Sequence, residues 1–364
     1  MLFKSLTTLA ATAATLATIN AYPTAPPPPT GGVDGNSTAP PPSYTAMSDY
    51  DFQSLNLALN QEWIELDLFH YALARFSPEE FEAAGIDAEQ QSLIEYMGNQ
   101  EVGHSTLVQN ILQGKGAKQC KYRYNFETVA EWIQFSATLT RWGESGVWGF
   151  LSHLDSRPAA TLLVQAESVE ARQQMIFRQF AGAFPMPFWF APGISQAMHW
   201  TLLSPYLIEC PAENPRIEWP IFPTLTIQNN PNLTAEGYES AVSTNRTAFV
   251  TPNTTSLYFQ YDAPGQNVSY NNSYQTVFGR NVTSPIPTHC VFISQLNATN
   301  VPFNATGNNT GECIVPGGVV FSDDGVVNGT NFVALISEDV YVTPYNLSLL
   351  NDVIVAGPAV YISG

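Results

Sequence analysis

Positive charge is what this chain has least of. Thirteen lysines and arginines stand against 31 aspartates and glutamates, a formal net charge of −18 over 364 residues. A chain so one-signed is repelled by phosphate backbones and anionic lipid, which argues against nucleic acid or an anionic membrane as partner. Long apolar runs are missing as well. No segment supplies the roughly 20 unbroken apolar residues that a membrane-spanning helix requires. Cysteine is sparse, with four in all, enough for two disulfides that could be connected in three ways. Nearness in sequence favours Cys290 with Cys313, which leaves Cys120 with Cys210.

The ends of the chain speak for export. Residues 1–21 carry a single lysine (Lys4), an Ala/Leu/Thr-rich centre and a small residue at Ala21, the composition of a secretory signal. Residues 22–45 are rich in Pro, Thr and Gly, a disordered or polyproline segment open to O-glycosylation. Twelve Asn-x-Ser/Thr sequons occur, at Asn36, Asn232, Asn245, Asn253, Asn267, Asn271, Asn281, Asn297, Asn304, Asn308, Asn328 and Asn346. Eleven of them lie at or beyond Asn232, so beside a signal peptide the C-terminal part is expected to be glycan-covered. The expected location is secreted, extracellular or in the cell wall, with cell-wall or matrix contacts as the partner class. The oligomeric state is left open.

From about residue 226 Asn, Thr, Val and Gly displace Glu, Gln and Ala, and helical spacing stops. Cys290–Ser294, Phe332–Ile336, Val353–Val355 and Val360–Ile362 are short apolar runs between turns, which predicts strands. The last run is broken by Gly357-Pro358, so a terminal strand is expected rather than a lipid-anchor signal. Residues 226–364 are therefore expected to form a small β-rich, sandwich-like domain.

Residues 46–225 read differently. Apolar residues recur every three or four positions in four segments, as on one face of an α-helix. The stripes run Leu55, Leu59, Glu62, Leu66, Phe69; then Ile94, Met97, Glu101, His104, Val108; then Ile133, Ala137, Thr140, Glu144, Val147; then Leu163, Ala166, Glu170, Gln173, Phe177. Each stripe carries a carboxylate at its middle, and Glu65 and Glu167 flank two of them. The order Glu, Glu-x-x-His, Glu, Glu-x-x-Gln is that of a carboxylate-bridged dimetal bundle with one histidine replaced by Gln173. The dozen residues 115–126 between the second and third helices can span the bundle, as a crossover must, since both lengths come to about 40 Å. The fold class expected is α+β multidomain, a ferritin-like four-helix bundle with a trailing helix followed by the β-rich domain.

Leu57–Glu65, Glu101-Val-Gly-His104, Gly143–Val147, Val169–Gln173 and the trailing Ser204-Pro205-Tyr206…Cys210-Pro211 together resemble the secreted fungal ferritin-like proteins. That family is linked to stress response and late sexual development and is related to plant desiccation-related proteins. The resemblance covers about residues 45–225 and implies a ferritin-like bundle without an established activity. Bacterial and plant relatives resemble a full two-histidine site, where this chain has Gln173.

Buried carboxylates must be paired, protonated or neutralised by a cation. Two readings of the centre stay open. In one, Glu62, Glu101, His104, Glu144 and Glu170 hold one or two ions, Gln173 is a weak carbonyl ligand, and Glu65 and Glu167 bridge or support. So oxygen-rich a donor set suits Mn or Fe. In the other the centre is a metal-free polar network, with His104 bonded to Glu144, Arg172 neutralising Glu170 and Gln173 satisfying what remains. Function divides likewise. An extracellular or cell-wall glycoprotein of stress or sexual development, non-enzymatic and with a degenerate carboxylate/His metal site, is expected first, a dimetal (Mn/Fe) oxidase or peroxide-consuming enzyme second. His70, His153, His199 and His289 show no ligand spacing, and the aromatic, Pro-rich run Phe184–Phe190 is expected to close one end of the bundle.

Overall fold

Each helix begins where a side chain satisfies an amide that the helix itself leaves without a partner. In the computed structural model, which describes residues 44–234, 240–242, 249–317 and 329–363, these are α1 (Asp49–Arg75), α2 (Pro78–Ala83), α3 (Ala88–Ile111), α4 (Val129–Leu151), α5 (Arg157–Phe180) and α6 (Gln196–Leu203). Ser48, Ser77, Asp87, Thr128, Ser156 and Ser195 each accept the N–H three residues on. At α2, α3 and α4 the residue reached, Glu80, Gln90 or Glu131, bonds back to the cap and completes a capping box. The expected signal segment 1–21, nearly all of the Pro/Thr-rich segment, and the sequons at Asn36, Asn245 and Asn328 lie outside the described residues.

The four long helices form the bundle: α1 meets α3 and α4, α5 meets α4 and α3. Their apolar stripes gather in two groups. Leu55, Leu59, Val108, Ile111, Val147 and Leu163 fill one end. Phe69, Ile94, Met97, Ile133, Ala137 and Phe177 fill the other. The carboxylate positions of all four stripes fall between these two plugs in sequence.

The crossover runs along α1. Ala117 N–H donates to Asn56 Oδ1 at 2.9 Å, Tyr124 OH donates to Asp67 Oδ2 at 2.8 Å, and the Phe126 ring meets Tyr71 and Phe76. Asn56 to Phe76 is most of the helix, so the link covers the length a ferritin-like connection needs. It is pinned midway. The strand β1 (Lys121–Tyr122) pairs with β2 (Leu207–Glu209), and the Cys120–Cys210 disulfide closes the same contact. The second expected bond, Cys290–Cys313, also forms.

Downstream come β3 (Leu225–Ile227), β4 (Ser256–Tyr261), β5 (Asn267–Val268), β6 (Tyr274–Gln275), β7 (His289–Ser294), β8 (Asn297–Pro302), β9 (Asn304–Gly307), β10 (Thr310–Ile314), β11 (Gly329–Ile336) and β12 (Ile354–Ser363). Two antiparallel four-stranded sheets, ordered β3-β4-β10-β9 and β12-β11-β7-β8, carry the β-rich region. Leu257, Phe259, Phe292, Val333 and Leu335 fill the core between them. The alternate residues of β11, Phe332, Ala334 and Ile336, belong instead to the same apolar cluster as Met198 and Trp200 of α6. All eight residues of β11 are buried for that reason. A strand covered on both faces cannot alternate, which explains its continuous apolar run. Bundle, inner sheet and outer sheet are three layers of one compact unit from Tyr44 onward.

A row of glycines on α4 makes room for a side chain of α1 and for the close approach of α6 and the chain leading into it. A Cβ at Gly143 would lie 2.6 Å from Gln61 Nε2, one at Gly146 2.1 Å from His199 Nδ1, and one at Gly149 1.7 Å from the Ile194 carbonyl oxygen. The Ile194 N–H donates to Ser145 O at 2.9 Å, which locks that approach. No described helix is long and apolar enough to cross a membrane. The sequon asparagines Asn232, Asn253, Asn267, Asn271, Asn281, Asn304 and Asn308 are exposed, while Asn297 and Asn346 are half-buried.

Two stability predictions follow from these contacts. Gly149→Ala sets a methyl group against a backbone carbonyl that cannot swing away, and should cost about 3 kcal/mol, the upper end for overpacking. Cys120→Ser with Cys210→Ser opens a loop spanning 90 residues and should cost roughly 2–5 kcal/mol. Urea unfolding of each variant against the parent chain measures both.

Candidate metal centre

Three helices bring four ligating groups to one point. Glu62 of α1, Glu101 and His104 of α3, and Glu170 of α5 each offer a ligand atom, and these atoms lie within 4.8 Å of one another. His104 Nδ1 is the hub, 3.1 Å from Glu101 Oε2, 3.4 Å from Glu62 Oε2 and 3.8 Å from Glu170 Oε1. The expected bond from His104 to Glu144 is replaced by these three contacts. Only His104 approaches the surface, at 9 % exposure against 0–2 % for the three acids. The i, i+3 spacing of Glu101 and His104 puts both on one face of α3, which is why a short motif predicts a contact.

The other acids surround this group without joining it. Glu65 Oε1 accepts from Gln61 Nε2 at 3.0 Å, and its Oε2 makes no hydrogen bond. Glu167 is fully buried with neither oxygen bonded. Glu144 Oε2 lies 2.7 Å from Arg141 Nη1, and its Oε1 accepts from Trp148 Nε1 at 3.3 Å. Gln173 Nε2 donates to Glu101 Oε1 and, at 3.2 Å, to Gln100 Oε1. Its carbonyl oxygen is buried without a hydrogen bond, so the side chain acts as a donor to a carboxylate, as the polar-network reading expects, rather than as the carbonyl ligand of the metal-bound reading. Arg172, the expected neutraliser of Glu170, lies on the exposed face of α5. The buried guanidinium here is Arg141, one turn before Glu144.

Burial dominates the electrostatics. It raises Glu62 to about 7, against the lowering effect of the His104 hydrogen bond and charge. Burial, reinforced by the neighbouring carboxylates, holds Glu65, Glu167 and Glu170 well above the ordinary carboxylate range. Burial alone would lower His104, but hydrogen bonds and charge from Glu101 and Glu62 outweigh it and push the imidazole up to about 12. His104 is thus an imidazolium held among carboxylates, the proton standing where a metal ion would compete for the same oxygens.

Gln61, which lies outside the apolar stripe of α1, is a further residue of the centre. Its Oε1 accepts from Trp142 Nε1 at 3.1 Å and pairs with His199 Nε2 at 3.0 Å, while its Nε2 donates to Glu65 and to the Leu139 carbonyl. Since the Gln61 oxygen can only accept, His199 Nε2 carries the hydrogen, and burial lowers the ring to about 3, keeping it neutral. Glu65 is thereby tied through Gln61 to α4 and α6. The signal available was Gly143 and Gly146, whose missing side chains make room for Gln61 and His199. Arg141 adjoins Thr140 of the counted stripe, and nothing in the spacing told it apart from Arg172.

A bundle with a long crossover and paired carboxylates at its centre defines the ferritin-like class, and residues 50–183 match the ferritin-like domain family. Protein rds1 of Schizosaccharomyces pombe is 46% identical over 351 residues, 92% of this chain and 86% of that protein. The chain belongs to the family of that protein, and the similarity extends through the β-rich region as well as the bundle.

The acids also set a pH response. Glu62, Glu65, Glu167 and Glu170 keep protons in the folded state at pH values where the unfolded chain has lost them, so the unfolded state binds fewer protons and stability falls as pH rises. For Glu62 the window runs from 4.5 to about 7. His104 has the same sign, its contribution complete below 6.5 and lost as pH climbs toward about 12. Chelator-treated protein should melt several degrees lower at pH 8 than at pH 5 by scanning calorimetry. A flat or inverted profile would mean that the centre is neutralised in another way.

Proposed function

We propose that this chain is a secreted, glycosylated ferritin-like protein whose bundle binds Mn or Fe at Glu62, Glu101, His104 and Glu170, and that it serves outside the cell in stress or sexual development. The observation that carries the metal reading is the meeting of four ligand atoms within 4.8 Å in a buried site. Glu170 Oε2 there, and both oxygens of the neighbouring Glu167, have no hydrogen-bond donor. Leaving buried polar atoms unsatisfied costs about 1–3 kcal/mol each, more for charged groups, and a cation would relieve several at once. Three carboxylates and one imidazole are hard donors suited to Mn²⁺ or Fe²⁺ rather than to Zn or Cu. A bound ion of this kind supplies Lewis acidity and one-electron chemistry.

The residues divide the work. Glu62, Glu101 and Glu170 supply oxygen, His104 supplies nitrogen once it gives up its proton, and Glu65 is held in place by Gln61. Export is supported by the leader-like residues 1–21 and by the sequon cluster, seven of whose asparagines are exposed. The stress and developmental role rests on the resemblance to secreted fungal ferritin-like proteins. The near-complete burial of the acids and the contacts of Glu144 and Gln173 favour a binding role over turnover of a substrate.

Metal content by plasma mass spectrometry on protein secreted from a fungal host tests the reading. Mn or Fe close to stoichiometric in the parent, reduced at least tenfold in Glu101→Ala and His104→Ala, is the expected result. A protein that stays empty after incubation with Mn²⁺ and Fe²⁺ would leave the centre a metal-free polar network and overturn the proposal.

A further inference from the structure

We infer that Arg141 does the work of a second cation, so that the centre takes one divalent ion where the four-helix pattern provides carboxylates for two. This rests on the metal reading above and fixes its stoichiometry. Of the four helices, α4 alone contributes nothing to the group of atoms within 4.8 Å. Its carboxylate is engaged elsewhere: Glu144 Oε2 faces Arg141 Nη1 at 2.7 Å and Oε1 accepts from Trp148 Nε1 at 3.3 Å. Arg141 and Glu144 are each 2 % exposed, so water screens this pair little. A guanidinium is charged at every accessible pH, which makes it a permanent counter-charge that an incoming ion cannot displace by proton release.

The guanidinium is also held in place. The Phe188 ring covers it at 4.7 Å. The chain just beyond Phe188 is fixed to the β-rich region, where Gln295 Oε1 accepts the N–H groups of Trp189 at 2.9 Å and Phe190 at 3.3 Å. The second departure lies on α5. At the position of a second imidazole, Gln173 turns its NH₂ group toward Glu101 and Gln100. Reversing that amide would set its carbonyl oxygen against two other oxygens, so the orientation follows from the partners. Half of the dimetal pattern therefore presents a fixed cation and an N–H donor, both of which repel a metal ion.

The test is the metal-to-protein ratio of the full secreted chain, by plasma and native mass spectrometry after loading with Mn²⁺ or Fe²⁺. The parent should hold one ion per chain, Arg141→Lys one, and Arg141→Gln two. Glu144→Gln, which removes a carboxylate that is not a ligand here, should still hold one, and this keeps the inference open to refutation if Arg141→Gln fails to fold. Two ions in the parent, one ion in a folded Arg141→Gln, or an empty Glu144→Gln would each overturn the role of Arg141 while leaving the metal site standing. No ion in the parent overturns the metal reading itself, and this inference with it.

Discussion

Six carboxylates buried between two apolar plugs is the constraint on which the rest of this structure depends. Glu62, Glu65, Glu101, Glu144, Glu167 and Glu170 are all at most 2 % exposed, and such groups stay charged only against nearby positive charge or donated hydrogen bonds. The bundle supplies His104 and Arg141 as cations and Gln61, Trp148 and Gln173 as donors. What remains unmatched, chiefly Glu167 and one oxygen each of Glu65 and Glu170, is the polar surplus that a bound cation would answer.

The layers around the bundle hold this arrangement in register. Helix α6 and the residue before its cap lie on the α4 backbone because Gly146 and Gly149 leave no side chain in the way, and the helix brings His199 to Gln61. The inner sheet covers α6 from the other side, with Phe332, Ala334 and Ile336 in the cluster that contains Trp200. The turn at Gln295 fixes the chain next to Phe188, and Phe188 covers Arg141. Groups on the β-rich region thus reach the carboxylates through two or three close contacts. A bundle cut away from its sheets would lose the support of His199 and of Phe188 together.

The arrangement separates two surfaces. The ionisable centre is enclosed in helices, with His104 as its nearest approach to solvent. The exposed sequons lie at or beyond Asn232, on and around the β-rich region. Chemistry that needs the carboxylates and contacts that need an outer surface would therefore occupy different parts of the molecule, and a substitution in one need not disturb the other.

Much of this was legible in the sequence because it is local or periodic. The 3.6-residue repeat placed Glu62, Glu101, Glu144 and Glu170 on buried stripes, and the i, i+3 spacing put His104 beside Glu101. The loss of that repeat after residue 226, with the apolar runs at 290–294 and 332–336, foretold strands. Nearness paired the cysteines. The choice between neighbours was not legible. Arg141 and Arg172 stand equally close to a stripe, and only packing turned the first inward and the second to water. Gln61 precedes a predicted ligand by one residue, yet its role depends on His199 and Trp142, 138 and 81 residues away. Periodicity states which face of a helix is buried; it does not state what the neighbouring elements bring to that face. The chain by itself determined the helices, the strands and the acids at their centre. The tertiary structure decided which acids meet, which cation answers Glu144 and which way Gln173 points, because those contacts join elements far apart in the chain.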